Sequence, residues 1–263
     1  MKNVLEFARA KRDGSRIVLV TAYDYLMARL LAASEVDAIL VGDSAAMVVH
    51  GFPSTIHATV EMLSAHTAAV RRGAPDRFIV ADMPFLSLRQ GREAAVRAAG
   101  ALLQSGANAV KVEGVAGHGE TISFLIESGI PVMGHLGLTP QSVHQLGGNR
   151  VQARTKEAAD RLQREAAELA ERGAFSVVLE CVPAAVAAQV TVASPIPTIG
   201  IGAGRNTDGQ VLVLSDLLGW DPTFRPMFAR RYHNGYEEGL TAVNAFVHDV
   251  RAEQFPADTE IPA

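Results

Sequence analysis

The residues best suited to chemistry in this sequence stand at the ends of short apolar runs. Asp43, Asp82 and Glu113 directly follow three such runs or come within two residues of them. His135 ends the next run, and Glu180 follows the one after it. Only 20% of the chain is charged, so chance does not place ionisable side chains this regularly. In barrels of parallel strands, catalytic groups lie where strands end and loops begin, and the pattern predicts one polar cluster.

Three of these residues are carboxylates from neighbouring runs, namely Asp43, Asp82 and Glu113. Bare carboxylates gathered in a poorly solvated site repel one another or take up protons. A hard divalent cation resolves the repulsion, because Mg²⁺ prefers oxygen ligands and keeps positions for water or substrate. We therefore predict that these three residues hold one Mg²⁺ per subunit. The alternative for any one of them is a helix N-cap or a salt-bridge partner.

Three other residues fit proton transfer. Lys111 lies two positions before Glu113, so in a strand both side chains point the same way, and a lysine inside a barrel needs an anion beside it. The alternative is a lysine at the strand margin that reaches solvent. Glu180 follows an apolar run, where partial desolvation suits a general base; the alternative is a structural salt bridge. His135 could stabilise an oxyanion, support the site, or be an ordinary hydrogen-bonded histidine.

A divalent metal, a lysine and a carboxylate base together suit proton removal next to a carbonyl group. A 2-oxo acid can chelate the metal through a carboxylate oxygen and the keto oxygen. The metal then stabilises the enolate as a Lewis acid, and Glu180 serves as the base. The sequence predicts an enzyme that converts a small 2-oxo acid into an enolate and forms a carbon–carbon bond.

The elements that must position these residues alternate between strand and helix. Continuous Val, Ile, Leu and Ala runs are typical of parallel strands buried on both faces. Eight such runs indicate an α/β fold, a (β/α)8 TIM barrel, rather than an open sheet, which usually shows a Gly-x-Gly-x-x-Gly turn. We predict one domain over residues 1–263, with a helical extension after about residue 215. The predicted strands are Ile17–Thr21, Ala38–Val41, Phe78–Ala81, Ala109–Val112, Val132–His135, Ser176–Leu179, Thr198–Ile201 and Val211–Leu214.

Composition argues against several other classes of protein. The net charge of −4, with no basic block, is unlike that of a nucleic-acid-binding protein. No apolar stretch approaches the roughly 18 residues of a membrane-spanning helix, and the N-terminus lacks the apolar core of a secretory signal. The single cysteine, Cys181, permits no intrachain disulfide. A cytoplasmic location is therefore expected.

Long motifs in this chain resemble those of the ketopantoate hydroxymethyltransferase family. They cover the chain from about Lys11 to beyond Ser215. The matching stretches are Thr21-Ala-Tyr-Asp24, Leu40-Val-Gly-Asp-Ser44, His66–Pro75, Ala81-Asp-Met-Pro-Phe85, Val110-Lys-Val-Glu-Gly114, Gly134–Ser142, Leu179-Glu-Cys-Val-Pro183, Ile199–Gly204 and Asp208-Gly-Gln210.

The resemblance implies a (β/α)8-barrel enzyme that forms a homo-oligomer of ten subunits. It implies transfer of a hydroxymethyl group from 5,10-methylenetetrahydrofolate to 3-methyl-2-oxobutanoate, giving ketopantoate and tetrahydrofolate in pantothenate biosynthesis. By the same resemblance, Glu180 is the proton acceptor and His135 a supporting group. Mg²⁺ lies among Asp43, Asp82 and Glu113, and the oxo acid contacts Asp43, Ser44, Asp82 and Lys111.

The chain departs from the usual family residues at three places: Ala45-Ala46, where Leu-Gly is typical, Ala153, where glycine is usual, and the segment Val115–His118. Two other functions compete. A lyase or mutase of the phosphoenolpyruvate mutase and isocitrate lyase superfamily shares the barrel, metal and enolate, but commonly uses a cysteine in a Lys-Lys-Cys-Gly-His type motif, which this sequence lacks. A catalytically silent paralogue should have lost a residue of the cluster.

Overall fold

Eight apolar segments form the eight parallel strands of a closed barrel in a computed structural model that describes residues 1–260. Residues 261–263, which the predicted domain includes, lie outside the described residues. The strands are β1 (Ile17–Thr21), β2 (Ala38–Val41), β3 (Phe78–Asp82), β4 (Ala109–Glu113), β5 (Val132–Gly137), β6 (Ser176–Glu180), β7 (Thr198–Ile201) and β8 (Gly209–Leu212).

Each strand pairs in parallel with the next in the chain, and β8 pairs with β1 to close the ring. The predicted (β/α)8 TIM barrel is therefore confirmed. Strands β3, β4 and β6 extend one residue beyond their predicted ends, so that Asp82, Glu113 and Glu180 are the last residues of their strands. Because the strands run in the same direction, these ends lie on the same rim of the barrel.

The last strand differs from the prediction, since it covers Gly209–Leu212 rather than Val211–Leu214. Gly209 pairs with both Ile17 and Ile199. A Cβ atom on Gly209 would lie 2.3 Å from the carbonyl oxygen of Ile17, so only glycine permits this approach. The apolar run alone did not reveal that the strand begins at a glycine, nor that a helix begins at Leu214.

Helices alternate with the strands around the barrel, as the sequence pattern indicates. Side chains of Asn3, Asp24, Thr59 and Thr155 accept hydrogen bonds from the first turns of four of them, which satisfies amides that lack a partner within the helix. The helices are α1 (Val4–Asp13), α2 (Tyr25–Ala32), α3 (Ala45–Val48), α4 (Val60–Gly73), α5 (Arg92–Gln104), α6 (Gly119–Glu127), α7 (Val143–Leu146), α8 (Lys156–Glu171), α9 (Ala184–Ala193), α10 (Leu214–Leu218) and α11 (Gly235–Arg251).

The helix α1 covers the end of the barrel at which the strands begin. Its Phe7 is fully buried and contacts the rings of Phe78 and Phe175, with centroids 5.2 and 5.1 Å away. Phe78 is the first residue of β3, and Phe175 immediately precedes β6. Phe7 and Phe78 belong to the apolar core at this end, and Phe175 packs against it. The polar residues of the predicted site lie at the opposite rim.

A second unit begins at Val213 and contains α10 and α11. The helix α11 has no buried residue, although Leu240, Val243 and Phe246 are large and apolar. A short 3-10 helix, Asp258–Glu260, follows α11. Among the residues that the structure describes, no helix has both the length and the apolar character that a bilayer crossing requires.

Truncation of Phe7 tests the role of the buried aromatic cluster. We expect Phe7→Ala to lower the free energy of unfolding by about 3–5 kcal/mol, because it removes a large buried side chain and leaves a cavity. Leu5→Ala on the same helix is the matched control; Leu5 is 72% exposed, and its loss should change stability by about 0.5 kcal/mol or less. Urea denaturation of both variants gives the comparison, and equal losses would contradict the assignment.

Candidate active site

The barrel brings the predicted site residues together at the rim where the strands end. Asp82 pairs with Lys111 across β3 and β4, and Glu113 pairs with His135 across β4 and β5. Glu180 ends β6 beside Gly137 of β5, and Asp43 follows β2 by two residues. Asp43, Asp82, Lys111 and His135 are all buried. The fold therefore places these groups in one connected cluster.

Lys111 points into the barrel and pairs with an acidic group there. Its Nζ lies 3.0 Å from Asp82 Oδ1 and 3.1 Å from His135 Nδ1, with only 5% of the side chain exposed. Burial lowers the pKa of Lys111, but the charges of Asp82, Glu113 and Asp43 outweigh it and raise the pKa above its ordinary value. The ammonium is therefore permanently charged and fixed where an anionic ligand could reach it.

His135 links Lys111 to Glu180. Its Nε2 lies 3.1 Å from Glu180 Oε2, and its Nδ1 lies 3.6 Å from Glu113 Oε1. Burial and the Lys111 charge lower the pKa of His135, whereas the neighbouring carboxylates of Glu113 and Glu180 raise it, and the result is a pKa of about 9. His135 therefore connects the Lys111 ammonium to the Glu180 carboxylate.

Asp43 and Asp82 are joined directly, because the backbone N–H of Asp43 donates to Asp82 Oδ2 at 3.0 Å. Burial, followed by the charges of Asp82 and Glu113, raises the pKa of Asp43 well above its usual range. Gln141 connects the acids, since its side-chain amide donates to Asp43 Oδ2 at 2.8 Å and its backbone N–H donates to Glu113 Oε2 at 3.0 Å. The loop after β5 therefore orients two of the three predicted metal ligands.

Ser44 is half-buried beside the same group of acids. Its Oγ lies 2.8 Å from the hydroxyl of Tyr23, a fully buried residue from the segment after β1. Burial raises the pKa of Tyr23 above its ordinary value, and the nearby Asp82 and Asp43 contribute in the same direction. The neutral phenol fixes the position of Ser44 at the edge of the cluster.

Acidic groups outnumber basic groups in the cluster. The carboxyl groups of Asp43, Asp82, Glu113 and Glu180 lie beside two basic groups, Lys111 and His135. Glu113 Oε1 is buried and makes no hydrogen bond among the described residues. A divalent cation would offset the repulsion among these acids.

The carboxylates at the rim can be matched to Mg²⁺ only as part of its ligand set. Within residues 1–260, no three acidic, histidine or cysteine side chains form a set that could hold a metal ion by themselves. Mg²⁺ sites in enzymes commonly use one or two carboxylates, with water and substrate oxygens as the other ligands. The linked pair Asp43 and Asp82, with Glu113 next to it, fits that requirement.

Backbone strain accumulates next to Glu180. Cys181 has φ 46° and Ala153 has φ 54°, both in the left-handed region that favours glycine. The two positions are joined through Gln152, whose N–H donates to the carbonyl oxygen of Cys181 at 2.8 Å. Non-glycine residues in this conformation cost about 1–3 kcal/mol each and often occur at functional sites. The turn after Glu180 is thus held by contacts with the loop that follows β5.

Comparison with known proteins identifies the family. A sequence model described as ketopantoate hydroxymethyltransferase matches residues 1–258. The chain belongs to the ketopantoate hydroxymethyltransferase family. A 3-methyl-2-oxobutanoate hydroxymethyltransferase from Bdellovibrio bacteriovorus is 48% identical over 260 residues, covering 99% of each chain. One from Legionella pneumophila (strain Paris) is 47% identical over 254 residues, covering 96% of this chain and 97% of the relative. Members of this family are enzymes, and so is this protein.

Solved structures with the same fold come from more distant proteins. Phosphonopyruvate hydrolase in complex with oxalate and Mg²⁺ has a TM-score of 0.64 at 11% identity, covering 100% of this chain and 92% of that chain. A 2,3-dimethylmalate lyase of the phosphoenolpyruvate mutase and isocitrate lyase superfamily has a TM-score of 0.59 at 17% identity, with the same coverage. These similarities show the barrel fold alone.

Sequence reasoning missed the contributions of Gln141 and Tyr23 to the ketopantoate hydroxymethyltransferase site. Both lie inside the motifs that carry the family resemblance, and those motifs were the signal that could have found them. A search for ionisable side chains passes over both, because neither is ionised at neutral pH. Of the departures from the usual family residues, Ala46 lies in the right-handed helix α3 and needs no glycine. Ala153, in contrast, adopts the left-handed conformation for which the usual glycine is suited.

The pKa of His135 provides a direct test of the hydrogen-bonded cluster. In metal-free protein labelled with ¹³C-histidine, NMR should show His135 titrating near pH 9, well above the usual histidine value of about 6.5. Its charged form favours the folded state fully below about pH 6.5, and this contribution is lost as the pH rises through about 9. Glu180→Gln should lower this pKa because it removes one of the two carboxylates. An unchanged value in that variant would show that Glu180 does not contact the imidazole.

Proposed function

We propose that this enzyme transfers a hydroxymethyl group from 5,10-methylenetetrahydrofolate to 3-methyl-2-oxobutanoate, giving 2-dehydropantoate (ketopantoate) and tetrahydrofolate for pantothenate and coenzyme A biosynthesis. The observation that supports it most is the position of Glu180, which His135 holds 3.1 Å away at the rim of the acidic cluster. The acceptor is the 2-oxo acid printed in the names of the relatives. The donor and the proton-transfer steps are part of the proposal.

The oxo acid binds between Lys111 and Ser44. The Lys111 ammonium attracts the substrate carboxylate, and the hydroxyl of Ser44 offers a hydrogen bond next to Asp43 and Asp82. Asp43 and Asp82, with Glu113 beside them, would hold one Mg²⁺ per subunit, which would supply Lewis-acid stabilisation of the negative charge that develops on the oxo group. The excess of carboxyl groups over basic groups in the cluster supports a divalent ion.

Glu180 acts as the base. It accepts the proton from C3 of 3-methyl-2-oxobutanoate, and the electron pair of that C–H bond becomes the enolate. Water hydrolyses the methylene bridge of the donor, so that both C–N bonds break, the two nitrogens of tetrahydrofolate are left protonated and the carbon is released as formaldehyde. C3 of the enolate then forms the new carbon–carbon bond with that carbon, and the resulting alkoxide takes the proton back from Glu180. His135 Nε2 lies 3.1 Å from Glu180 Oε2 and helps to hold the carboxylate at the rim. A base so oriented is within reach of one proton of the bound substrate, as general-base catalysis requires.

The two competing functions are less well supported. A lyase of the mutase superfamily type needs a reactive cysteine, but Cys181 is the only cysteine in the sequence. Burial, followed by the Glu180 charge, raises the pKa of its thiol to about 11, so the thiol stays protonated at neutral pH. A silent paralogue would lack part of the site, yet Asp43, Asp82, Lys111, Glu113 and Glu180 are all present.

We further propose that the enzyme functions as a homo-oligomer, with ten subunits by family resemblance, in the cytoplasm. The exposed apolar residues of α11, which has no buried residue, support association with other copies, because large uncovered apolar surfaces mark interaction sites. The proposed ligands are the 2-oxo acid and the folate, with no nucleic acid and no membrane among the partners.

Substitution of Glu180 tests the base. We expect wild-type protein with Mg²⁺ and 3-methyl-2-oxobutanoate in heavy water to exchange the C3 proton for deuterium, as followed by NMR. Glu180→Gln should slow this exchange by about 10²–10⁴-fold, the usual contribution of a general base. Glu127→Gln, at an exposed position on α6, is the matched control. Undiminished exchange in Glu180→Gln would remove Glu180 from this role, and no exchange by wild type would favour a silent paralogue.

Substitution of Asp82 tests the metal site. We expect Asp82→Asn to weaken Mn²⁺ binding at least about tenfold, because the variant loses one charged ligand while its amide oxygen can still accept the Asp43 N–H. Electron paramagnetic resonance of free Mn²⁺ measures the affinity without reference to activity. Asp13→Asn, at the exposed end of α1, should bind Mn²⁺ as wild type does. Equal affinity in Asp82→Asn would place the metal elsewhere.

A further inference from the structure

A pocket opens on the side of Glu113 that faces the loops after β3 and β4. Phe85, Leu86 and Arg89 line it from the first loop, and His118 lines it from the second. Gln141 also lines it, and the same Gln141 hydrogen-bonds to Asp43 and Glu113. The pocket is therefore continuous with the acidic cluster, and a molecule bound there would lie next to the oxo acid.

The first loop presents apolar side chains to this pocket. Phe85 is 40% exposed and Leu86 is 47% exposed, although both are large and apolar. Leu86 also has φ 62°, a left-handed conformation that is unfavourable for leucine and is often retained where function requires it. The exposed phenyl ring offers a face on which a flat heteroaromatic ring can stack.

His118 adds an unsatisfied polar atom to the same pocket. The residue is only 7% exposed, and its Nδ1 is buried with no hydrogen-bond partner among the described residues. Its Nε2 lies 3.2 Å from the carbonyl oxygen of Gly114, so the proton is on Nε2. In the neutral ring Nδ1 is then an acceptor. An N–H group of a ligand would satisfy it.

Arg89 supplies positive charge at the margin of the pocket. Its side chain is exposed, and Nη2 donates to the carbonyl oxygen of Ala116 at 2.8 Å. That hydrogen bond ties the two loops together and fixes the direction of the guanidinium. A guanidinium suits a carboxylate geometrically, since it can donate two parallel hydrogen bonds. The pocket therefore combines a stacking surface, a buried acceptor and an outer cation.

We propose that this pocket binds the one-carbon donor, with its reduced pterin against Phe85 and Leu86 and a carboxylate of its glutamate tail at Arg89. His118 Nδ1 accepts a hydrogen bond from an N–H of the pterin ring. The inference rests on the proposed function, in which the donor is a reduced folate. It assigns the donor to the Glu113 side of the rim and leaves the Lys111 side to the oxo acid.

Binding of 5-formyltetrahydrofolate, a stable reduced folate, tests the assignment by isothermal titration calorimetry in the presence of Mg²⁺. We expect Phe85→Ala to weaken binding about tenfold, as loss of an aromatic stacking partner does for nucleobases. Phe85→Leu should show a smaller loss, and it replaces the alanine variant if that variant does not fold. Arg89→Ala should weaken monoglutamate binding about threefold and triglutamate binding more strongly. Arg97→Ala, an exposed arginine on α5 outside the pocket, is the control.

Steady-state kinetics of hydroxymethyl transfer separates this inference from the proposed function. The KM for 5,10-methylenetetrahydrofolate should rise in the Phe85 and Arg89 variants, with the KM for the oxo acid as the internal reference. If wild type catalyses transfer but the pocket variants bind folate as tightly as wild type does, the pocket assignment alone is overturned. Wild type that exchanges deuterium but neither binds folate nor transfers the hydroxymethyl group would overturn both the donor and the pocket.

Discussion

Repulsion among buried carboxylates is the constraint on which the rest of the site depends. Two like charges 4 Å apart repel by about 4 kcal/mol at an effective dielectric constant of about 20, whereas a whole domain is stable by only about 5–15 kcal/mol. The barrel rim tolerates its acids because Lys111 and His135 lie among them and Gln141 donates hydrogen bonds to two of them. The proposed divalent cation would reduce the repulsion that remains among these acids.

The apolar core that stabilises the barrel and the polar site lie at opposite ends of it. At the end where the strands begin, Phe7 packs against Phe78 and Phe175 in an apolar core. At the other end, buried polar groups replace apolar ones, and the backbone is strained at Cys181 and Ala153. A well-packed core can support such costs, because the free energy gained by burial on one side offsets strain on the other.

Neighbouring side chains at the rim differ in their pKa values, because each one contacts a different set of groups. Burial and adjacent acids raise the pKa of Asp43, and two carboxylates hold the pKa of His135 near 9. Each effect comes from residues on other strands. Loops then control how ligands reach the site, since the segments after β3, β4 and β5 form the walls around Glu113. Function in this fold therefore depends on loops that rigid strand ends hold in place.

The sequence by itself determined the barrel and the set of ionisable residues at its rim, because continuous apolar runs and the polar residues that end them are local features of the chain. It placed Asp43, Asp82, Glu113, His135 and Glu180 at the ends of successive runs, with Lys111 inside the fourth run. Only the tertiary structure decided that Gln141 joins Asp43 to Glu113, that β8 begins at Gly209, and that His118 borders the same rim. Those features depend on contacts between segments far apart in the chain, and no local pattern of residue types encodes such contacts.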